Sequence, residues 1–343
     1  MWKLNKVGNS ILKQYVGELL GPLRDRLATN LPPAELQILI PGYGTENEDL
    51  SELEGLLTDE PIALLNRNNR LLAALIPSYD ENELIDYQKS KRKTRRREPR
   101  DTYLVNKYDV PLQMLEDTFD YEHVISQNKE RAYRLTEMKG TNVCTYCNRQ
   151  YVFTVNKPKK KGLAHIVRPE LDHWYNKELY PLMSLSFYNL IPSCHICNSS
   201  TKGGTVFSLG THIHPYLQKD ANPKIEFKPT VASGHSFLYS VKIDRVAGSK
   251  EDNTVKAFAL DEIYAEHGRL EVDDLMRFNS AYNDGYLKVL FDELLDKFCP
   301  KVTKAEVYRM LFGTELDPER FDERPMSKLK YDVLKYLHIL TKF

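Results

Sequence analysis

Long apolar runs are missing from this 343-residue sequence. The best candidate, Leu71–Ile76, is much shorter than the ~18 residues that cross a bilayer, and arginines stand beside it. Residues 1–23 mix Lys, Asn, Gly and Glu into their apolar positions, which is not the pattern of a secretory signal. We therefore expect a folded cytoplasmic protein.

An excess of charge of either sign is also missing, because 48 Lys and Arg residues balance 48 Asp and Glu residues. A surface built as a whole to bind polyanions would carry net positive charge, so any contact with nucleic acid must be local. Two basic runs are candidates: Lys89–Arg100, with the sequence KSKRKTRRREPR, and Lys157–Lys161, with the sequence KPKKK. Each run could bind phosphates or could be a solvated linker.

Cysteine is scarce, and the spacing of the five cysteines predicts a metal site. Four of them form two CxxC pairs, Cys144 with Cys147 and Cys194 with Cys197. Each pair can place two thiolates on one ion, so the two pairs together can bind Zn²⁺ tetrahedrally and leave no position for water. We predict a structural zinc site, with four unrelated buried cysteines or two redox pairs as alternatives. Cys299 stands apart, and we expect it to be a small buried residue on a helix.

The sequence divides into three regions: 1–110, 111–218 and 219–343. The first is predicted to be mainly helical with a basic linker, because apolar residues recur every fourth position from Ile11 to Leu23 and a second apolar helix covers Leu64–Ile76. The other two regions mix helix and strand patterns. We therefore predict an α+β protein.

The middle region should deliver a helix, Pro111–Lys139, to the first cysteine pair, with Gly140 as its stop. Short strands follow, and a final helix should run from Cys194 to about Gly203. The strand candidates are residues 151–155, 169–174 and 183–191, of which the last two could pair as a hairpin.

The last region alternates apolar and polar residues around Phe227 and again over Phe237–Ile243, which predicts a small antiparallel pair. Thr303 and Ser327 are good N-cap residues for two later helices.

Two segments between the cysteine pairs carry side chains suited to phosphodiester hydrolysis: ELDHWY at 170–175 and SFYNLIPSCHICNSS at 186–200. This reaction requires a nucleophilic water, a group that takes its proton, and a cation that stabilises the developing charge. His173 can take a proton near neutral pH, and Asp172 offers a hard oxygen ligand. Adjacent side chains on a strand point to opposite faces, so both can serve one site only if the strand ends or bends there.

These segments resemble the HNH, or ββα-metal, nuclease family, in which an Asp-His pair on one strand is followed by an Asn and then by a helix residue. The resemblance implies that Asp172 and Asn198 hold one divalent ion, Mg²⁺ or Mn²⁺, and that Asn189 orients His173 through a hydrogen bond. Many family members have His where this chain has Asn198, so the metal that this chain prefers can differ from theirs. The segments resemble in particular the HNH component of Septu-type antiphage defence systems, which accompanies an ATPase.

The resemblance implies a zinc-stabilised HNH core, between a mainly helical N-terminal region and an α+β C-terminal region, that cuts DNA with an ATPase partner. Cleavage of RNA, including transfer RNA, is an alternative, because nothing in these residues tests for a 2′-hydroxyl. A catalytically silent zinc-organised module that binds nucleic acid is another. The side chains expected to hold the substrate backbone are Lys157, Lys159, Lys160, Lys161, Lys177 and Lys202.

Overall fold

The computed structural model describes residues 1–94, 96–160, 162–231, 239–281 and 302–342. It is an α+β protein with a largely helical N-terminal half and small antiparallel sheets. Among the described residues, no helix combines the length and the apolar composition needed to cross a membrane.

The N-terminal half confirms the predicted helical periodicity. Helix α1 buries Tyr15, Leu19, Leu23 and Leu27, which fall on one face at every fourth position. The helices of this half are α1 (Asn9–Asn30), α2 (Pro33–Leu39), α3 (Ser51–Thr58), α4 (Pro61–Leu75), α5 (Leu84–Lys91), α6 (Pro99–Thr118) and α7 (Lys129–Lys139).

The single helix predicted from Pro111 to Lys139 is wrong, because two helices share that stretch. Helix α6 begins earlier, at Pro99, and ends at Thr118, whereas α7 begins only after Asn128, whose side chain accepts a hydrogen bond from the backbone of Arg131. The expected stop is confirmed: Gly140 follows α7 with φ of 63°, a left-handed conformation that glycine adopts without strain.

Three two-stranded antiparallel sheets are present in the described parts of the chain. They pair β1 (Val155–Pro158) with β2 (Leu163–Val167), β3 (Glu170–His173) with β4 (Leu190–Ser193), and β5 (Glu226–Val231) with β6 (Tyr239–Asp244).

The predicted hairpin of the middle region is confirmed as a pairing, but its second strand starts later than expected. Short 3₁₀ turns occupy Pro181–Met183 and Phe187–Asn189, so the strand is limited to Leu190–Ser193. The strand expected at residues 151–155 is wrong, because Tyr151 makes only an isolated bridge to Val143 and β1 begins at Val155. The helix predicted from Cys194 to about Gly203 is confirmed as the wide, π-type helix Ile196–Lys202, called the site helix below.

The C-terminal helices are α8 (Lys250–Ala257), α9 (Leu260–His267), α10 (Asp273–Ala281), α11 (Lys304–Phe312) and α12 (Ser327–Tyr336). Thr303 caps α11 as predicted, by accepting a hydrogen bond from the backbone of Glu306. Ser327 does not cap α12: it is the first helical residue, and its hydroxyl donates to the Arg324 carbonyl instead. Phe237, Lys161 and Cys299 lie outside the described residues.

Shorter helical turns connect these elements. They are Glu81–Glu83, Glu122–Ser126, Pro215–Leu217, Gly268–Val272, Pro318–Arg320 and Leu340–Lys342. Buried apolar side chains from all three predicted regions form one continuous cluster that includes Leu64, Phe187 and Tyr264. The division into 1–110, 111–218 and 219–343 stays a prediction.

Candidate functional site

The four paired cysteines come together in the interior. Cys144, Cys147, Cys194 and Cys197 are buried, and their sulfur atoms lie within 4.8 Å of one another. The sulfurs of Cys147 and Cys194 are 3.9 Å apart, much longer than the ~2.05 Å of a disulfide. Four sulfurs at about 2.3 Å from a central ion would have a similar separation, so this cluster is consistent with a structural Zn²⁺.

The first cysteine turn, residues 144–148, is called the first knuckle. The backbone of Asn148 donates to the Cys144 carbonyl at 2.9 Å, and the backbone of Thr145 donates to the Pro192 carbonyl of β4 at 3.3 Å. In the second pair, the backbone of Asn198 donates to the Cys194 carbonyl at 3.0 Å. The four-cysteine cluster therefore joins the site helix to the first knuckle, which is bonded to β4 of the β3–β4 hairpin.

A polar pocket of about 520 Å³ opens where β3 ends and the site helix passes beside it. Three of the four residues predicted to be catalytic, Asp172, His173 and Asn198, line this pocket. The other lining residues are Tyr121, Glu122, Ser126, Arg168, Glu170, Leu171, Asn176, Lys177, Glu178, Ser199, Lys202, Gly203 and Gly204.

Asp172 is buried and already has a cationic partner. The ammonium group of Lys202 lies 2.8 and 2.9 Å from its two carboxylate oxygens, and the Tyr146 hydroxyl donates to it at 2.6 Å. Lys202 also donates to the backbone carbonyl of His173 at 2.5 Å, and its side chain is only 3% exposed. Lys202 was predicted to contact the substrate backbone, but in the structure its ammonium group is buried and bonds to Asp172 and to the His173 carbonyl.

His173 lies at the pocket with one ring nitrogen bonded to the backbone. Its Nε2 is 3.0 Å from the Ser184 carbonyl, which can only accept, so Nε2 carries the hydrogen and Nδ1 keeps a lone pair. The ring packs edge-on against Tyr121 at 4.7 Å. Burial and the nearby charge of Lys177 lower the pKa of His173 to about 3, so the imidazole is neutral at pH 7.

Glu170 is a pocket residue that the predicted catalytic set omits. Its carboxylate accepts hydrogen bonds from the amide nitrogen of Asn198 at 2.8 Å, from His195 at 2.7 Å and from Ser199 at 3.3 Å. Burial alone would raise the pKa of Glu170, but the bonds from Asn198 and His195 bring it below its usual range. The sequence contained one signal for Glu170 as a site residue: it stands two positions before Asp172, and this spacing places both carboxylates on one face of the strand.

Asn189 is fully buried but does not bond to His173. Its amide oxygen accepts from the backbone nitrogen of Tyr175 at 2.7 Å, and its amide nitrogen donates to the carbonyls of Tyr175 and Met183 at 3.2 and 3.0 Å. The Met183 carbonyl precedes Ser184, whose own carbonyl meets the His173 ring. Asn189 therefore holds the backbone behind the histidine. The family resemblance implied a direct hydrogen bond between Asn189 and His173, and that prediction is wrong.

The predicted lysines occupy two different places. Lys177 lines the pocket and is half-buried. Lys157 lies on β1, and Lys159 and Lys160 follow it, all exposed on the β1–β2 hairpin and outside the pocket lining.

The pocket lining includes oxygen ligands of the type that a hard divalent cation takes. Glu170 and Asp172 supply carboxylates, and Asn198 supplies an amide oxygen because its nitrogen is used on Glu170. No thiolate or imidazole is needed in such a set, which suits Mg²⁺ or Mn²⁺. A cation bound by Asp172 has to share that carboxylate with the ammonium group of Lys202.

No protein-family model matches the chain, and comparisons with curated proteins and with solved structures find no match either.

Proposed function

We propose that this protein is a metal-dependent HNH-type endonuclease that hydrolyses phosphodiester bonds, with DNA as the favoured substrate. One observation carries the proposal: the end of β3 and the site helix, joined by the four-cysteine cluster, present Asp172, His173 and Asn198 to one open polar pocket. The order hairpin and then helix is also that of the family which the sequence resembles.

In this proposal His173 accepts the proton of the attacking water at Nδ1. The Ser184 carbonyl holds the ring by Nε2, so the neutral imidazole keeps a lone pair on Nδ1 for that proton. Asp172 and Asn198, with Glu170 beside them, would hold the divalent cation. When bound, that ion stabilises the negative charge that develops on the phosphate and on the leaving oxygen.

The phosphate on which the reaction occurs is held by cations at the pocket. Lys177 and Arg168 both line it, and neither forms an ion pair with a carboxylate among the described residues. They are therefore available to neutralise phosphate oxygens, with an affinity that salt weakens. Both DNA and RNA present this group, so RNA cleavage is the nearest alternative to the proposed activity.

A second candidate function, a silent module that binds nucleic acid, has one observation in its favour. Lys202 already neutralises the buried carboxylate of Asp172, as it would in a site that needs no metal. The resemblance to the Septu component adds the proposal of an ATPase partner and a role in antiphage defence.

The test compares nicking of supercoiled plasmid and cleavage of total RNA, with Mg²⁺ or Mn²⁺ and with the ATPase partner present, by the chain and by His173→Ala. Loss of a general base should lower the rate by about 100-fold or more. His123→Ala removes an exposed histidine outside the pocket lining and should keep the original rate. Equal rates for the chain and His173→Ala would overturn the role of His173, and an inert chain on both substrates would favour the silent module.

A further inference from the structure

The basic run that begins at the end of α5 reaches the rim of the pocket, where Arg92 meets Glu178, a residue 86 positions later in the sequence. Arg92 Nη2 lies 3.0 Å from a carboxylate oxygen of Glu178. A methyl group built on Gly204 would stand 2.8 Å from the same nitrogen. Glu178 and Gly204 both line the pocket, so the basic run begins at its edge.

The described residues of the segment 91–97, namely 91–94, 96 and 97, are called the cationic loop, and Asp101 of α6 holds them in shape. The Asp101 carboxylate accepts from Ser90 at 2.7 Å, from Lys93 at 2.6 Å and from the backbone of Glu98 at 2.8 Å. Arg97 reaches back across the loop and donates to the Lys91 carbonyl at 3.4 Å. Both ends of the cationic loop are therefore anchored to the helices on either side.

The charges of the cationic loop are unequally compensated. Lys91 pairs with Asp109 at 3.0 Å, Lys93 pairs with Asp101, and Arg92 pairs with Glu178. Arg96 and Arg97 are exposed, and neither has a carboxylate within ion-pair distance in the described parts of the chain. Positive charge without a partner is thus concentrated at one place in the cationic loop.

That place is within reach of a substrate seated in the pocket. Arg96 follows Arg92 at the rim by four positions, and a fully extended chain covers at most about 14 Å in that length. Successive phosphates of a nucleic acid strand are separated by less than this, so a strand that leaves the pocket on the side of Glu178 and Gly204 comes within reach of the two arginines. Guanidinium groups also match phosphate oxygens in a two-bond geometry that an ammonium group cannot form.

We infer that the cationic loop binds the phosphate backbone of the nucleic acid next to the cleavage site, with Arg96 and Arg97 as its contacts. The inference rests on the proposed function for the identity of the pocket. It names phosphodiester backbone as the ligand, a chemistry that DNA and RNA share. Of the two roles considered for this basic run, phosphate binding and a solvated linker, the inference selects phosphate binding.

The test measures binding without cleavage. Fluorescence anisotropy of a labelled DNA duplex, and separately of an RNA hairpin, is recorded with His173→Ala protein across a series of salt concentrations. Adding Arg96→Gln and Arg97→Gln should weaken binding at about 0.1 M salt on the order of 10- to 100-fold, and should lower the slope of log affinity against log salt by about 2. The arm with the larger loss identifies the nucleic acid that the cationic loop prefers.

The matched control carries Lys242→Gln and Lys250→Gln, two exposed lysines outside the pocket and the cationic loop, and should bind as the parent does. Unchanged affinity and slope in the arginine variant, or an equal loss in the control, would overturn the inference. Neither result depends on catalysis. Loss of binding in the arginine variant with no cleavage by the original chain would leave the inference standing and reject the nuclease.

Discussion

Lys202 places a positive charge against the carboxylate proposed to hold a metal ion. The ammonium group has three donors, and all three are used, on the two oxygens of Asp172 and on the His173 carbonyl. Both partners of the pair are at most 4% exposed. Lys202 therefore compensates the buried charge of Asp172 in the absence of a divalent cation.

Replacing Lys202 with methionine should lower the free energy of unfolding by about 3–5 kcal/mol, because it leaves Asp172 buried without a counterion. Urea denaturation measures this change. Mg²⁺ should restore more stability to Lys202→Met than to the original chain, since the ion can replace the missing positive charge at Asp172.

Lys256→Met is the matched control, because Lys256 also pairs with a buried carboxylate, that of Asp252, but is itself 64% exposed. Its loss should cost about 1 kcal/mol or less, and Arg245 remains bonded to Asp252 at 2.8 Å. The same Mg²⁺ response in all three proteins would contradict the placement of the cation at Asp172.

Single residues differ in how much of their role the sequence could predict. The two CxxC pairs specify their own partners by spacing, and the four-cysteine cluster was predictable for that reason. Asn189 could be predicted as a site residue, but its hydrogen bonds go to backbone groups whose positions depend on the turns at 181–183 and 187–189. Lys202 could be read as a surface cation because nothing in its neighbourhood in sequence shows that the site helix turns it inward.

At the scale of elements, the start of α6 joins a helix terminus to the cationic loop through one carboxylate. Asp101 accepts from Lys93, Ser90 and the backbone of Glu98, and these bonds lower its pKa to about 2. A carboxyl group with an ordinary pKa of about 3.9 in the unfolded chain then binds protons more readily when unfolded.

Asp101 should therefore stabilise the fold fully above pH 4, and its contribution should disappear as the pH falls from about 4 to about 2. Asp101→Asn should remove this part of the pH dependence, which chemical denaturation at a series of pH values measures. Asp49→Asn is the comparison, because the pKa of Asp49 is also lowered by bonds at a helix start, those from Ser51 of α3, away from the cationic loop. Asp101→Asn should also weaken the binding of nucleic acid more than Asp49→Asn does, because only Asp101 shapes the cationic loop. An equal loss of affinity in the two variants would contradict this role of Asp101.

Local sequence signals predicted the helices best where a single residue determines the start or the end of a helix. Gly140 ends α7 and Thr303 caps α11, in each case by backbone conformation or by a bond within four residues. The break between α6 and α7 has such a marker only at its far end, where Asn128 caps α7; the end of α6 at Thr118 has none, since residues 119–128 contain neither glycine nor proline. The end of α6 depends on packing, because Phe119, Val124 and Ile125 are buried in the common apolar cluster.

At the scale of the whole molecule, the first knuckle contacts segments from both ends of the described chain. The backbone of Trp2 donates to the Thr145 carbonyl at 2.9 Å, and its indole donates to the Tyr146 carbonyl at 2.7 Å. From the C-terminal region, Met326 donates to the Asn148 carbonyl at 2.7 Å. Tyr146 in turn bonds to Asp172, so the cysteine cluster links both regions to the pocket.

The Asn148 side chain strengthens the C-terminal link. Its amide nitrogen donates to the Phe321 carbonyl at 2.6 Å, and its amide oxygen accepts from the backbone of Lys328 at 3.2 Å. The hydroxyl of Tyr264 donates to the carbonyl of Cys147. These partners lie more than 100 positions away in sequence, which is why no local pattern could predict the joint.

Removing zinc should consequently loosen both regions where they meet the first knuckle, and not only the cysteine cluster. A structural zinc site can contribute on the order of 10 kcal/mol to folding, and without the ion four buried sulfurs no longer fix the turn that bonds to Trp2 and Met326. Hydrogen exchange after chelation should show early loss of protection at the amides of Trp2 and Met326. The amides of α4, which makes none of these bonds to the first knuckle, provide the control and should exchange slowly as before. Uniform loss of protection over the chain would mean that zinc supports the whole fold equally. Unchanged exchange at Trp2 and Met326 would mean that the first knuckle keeps its shape without the ion. Either result would contradict the role of the cysteine cluster as the link between the two regions and the pocket.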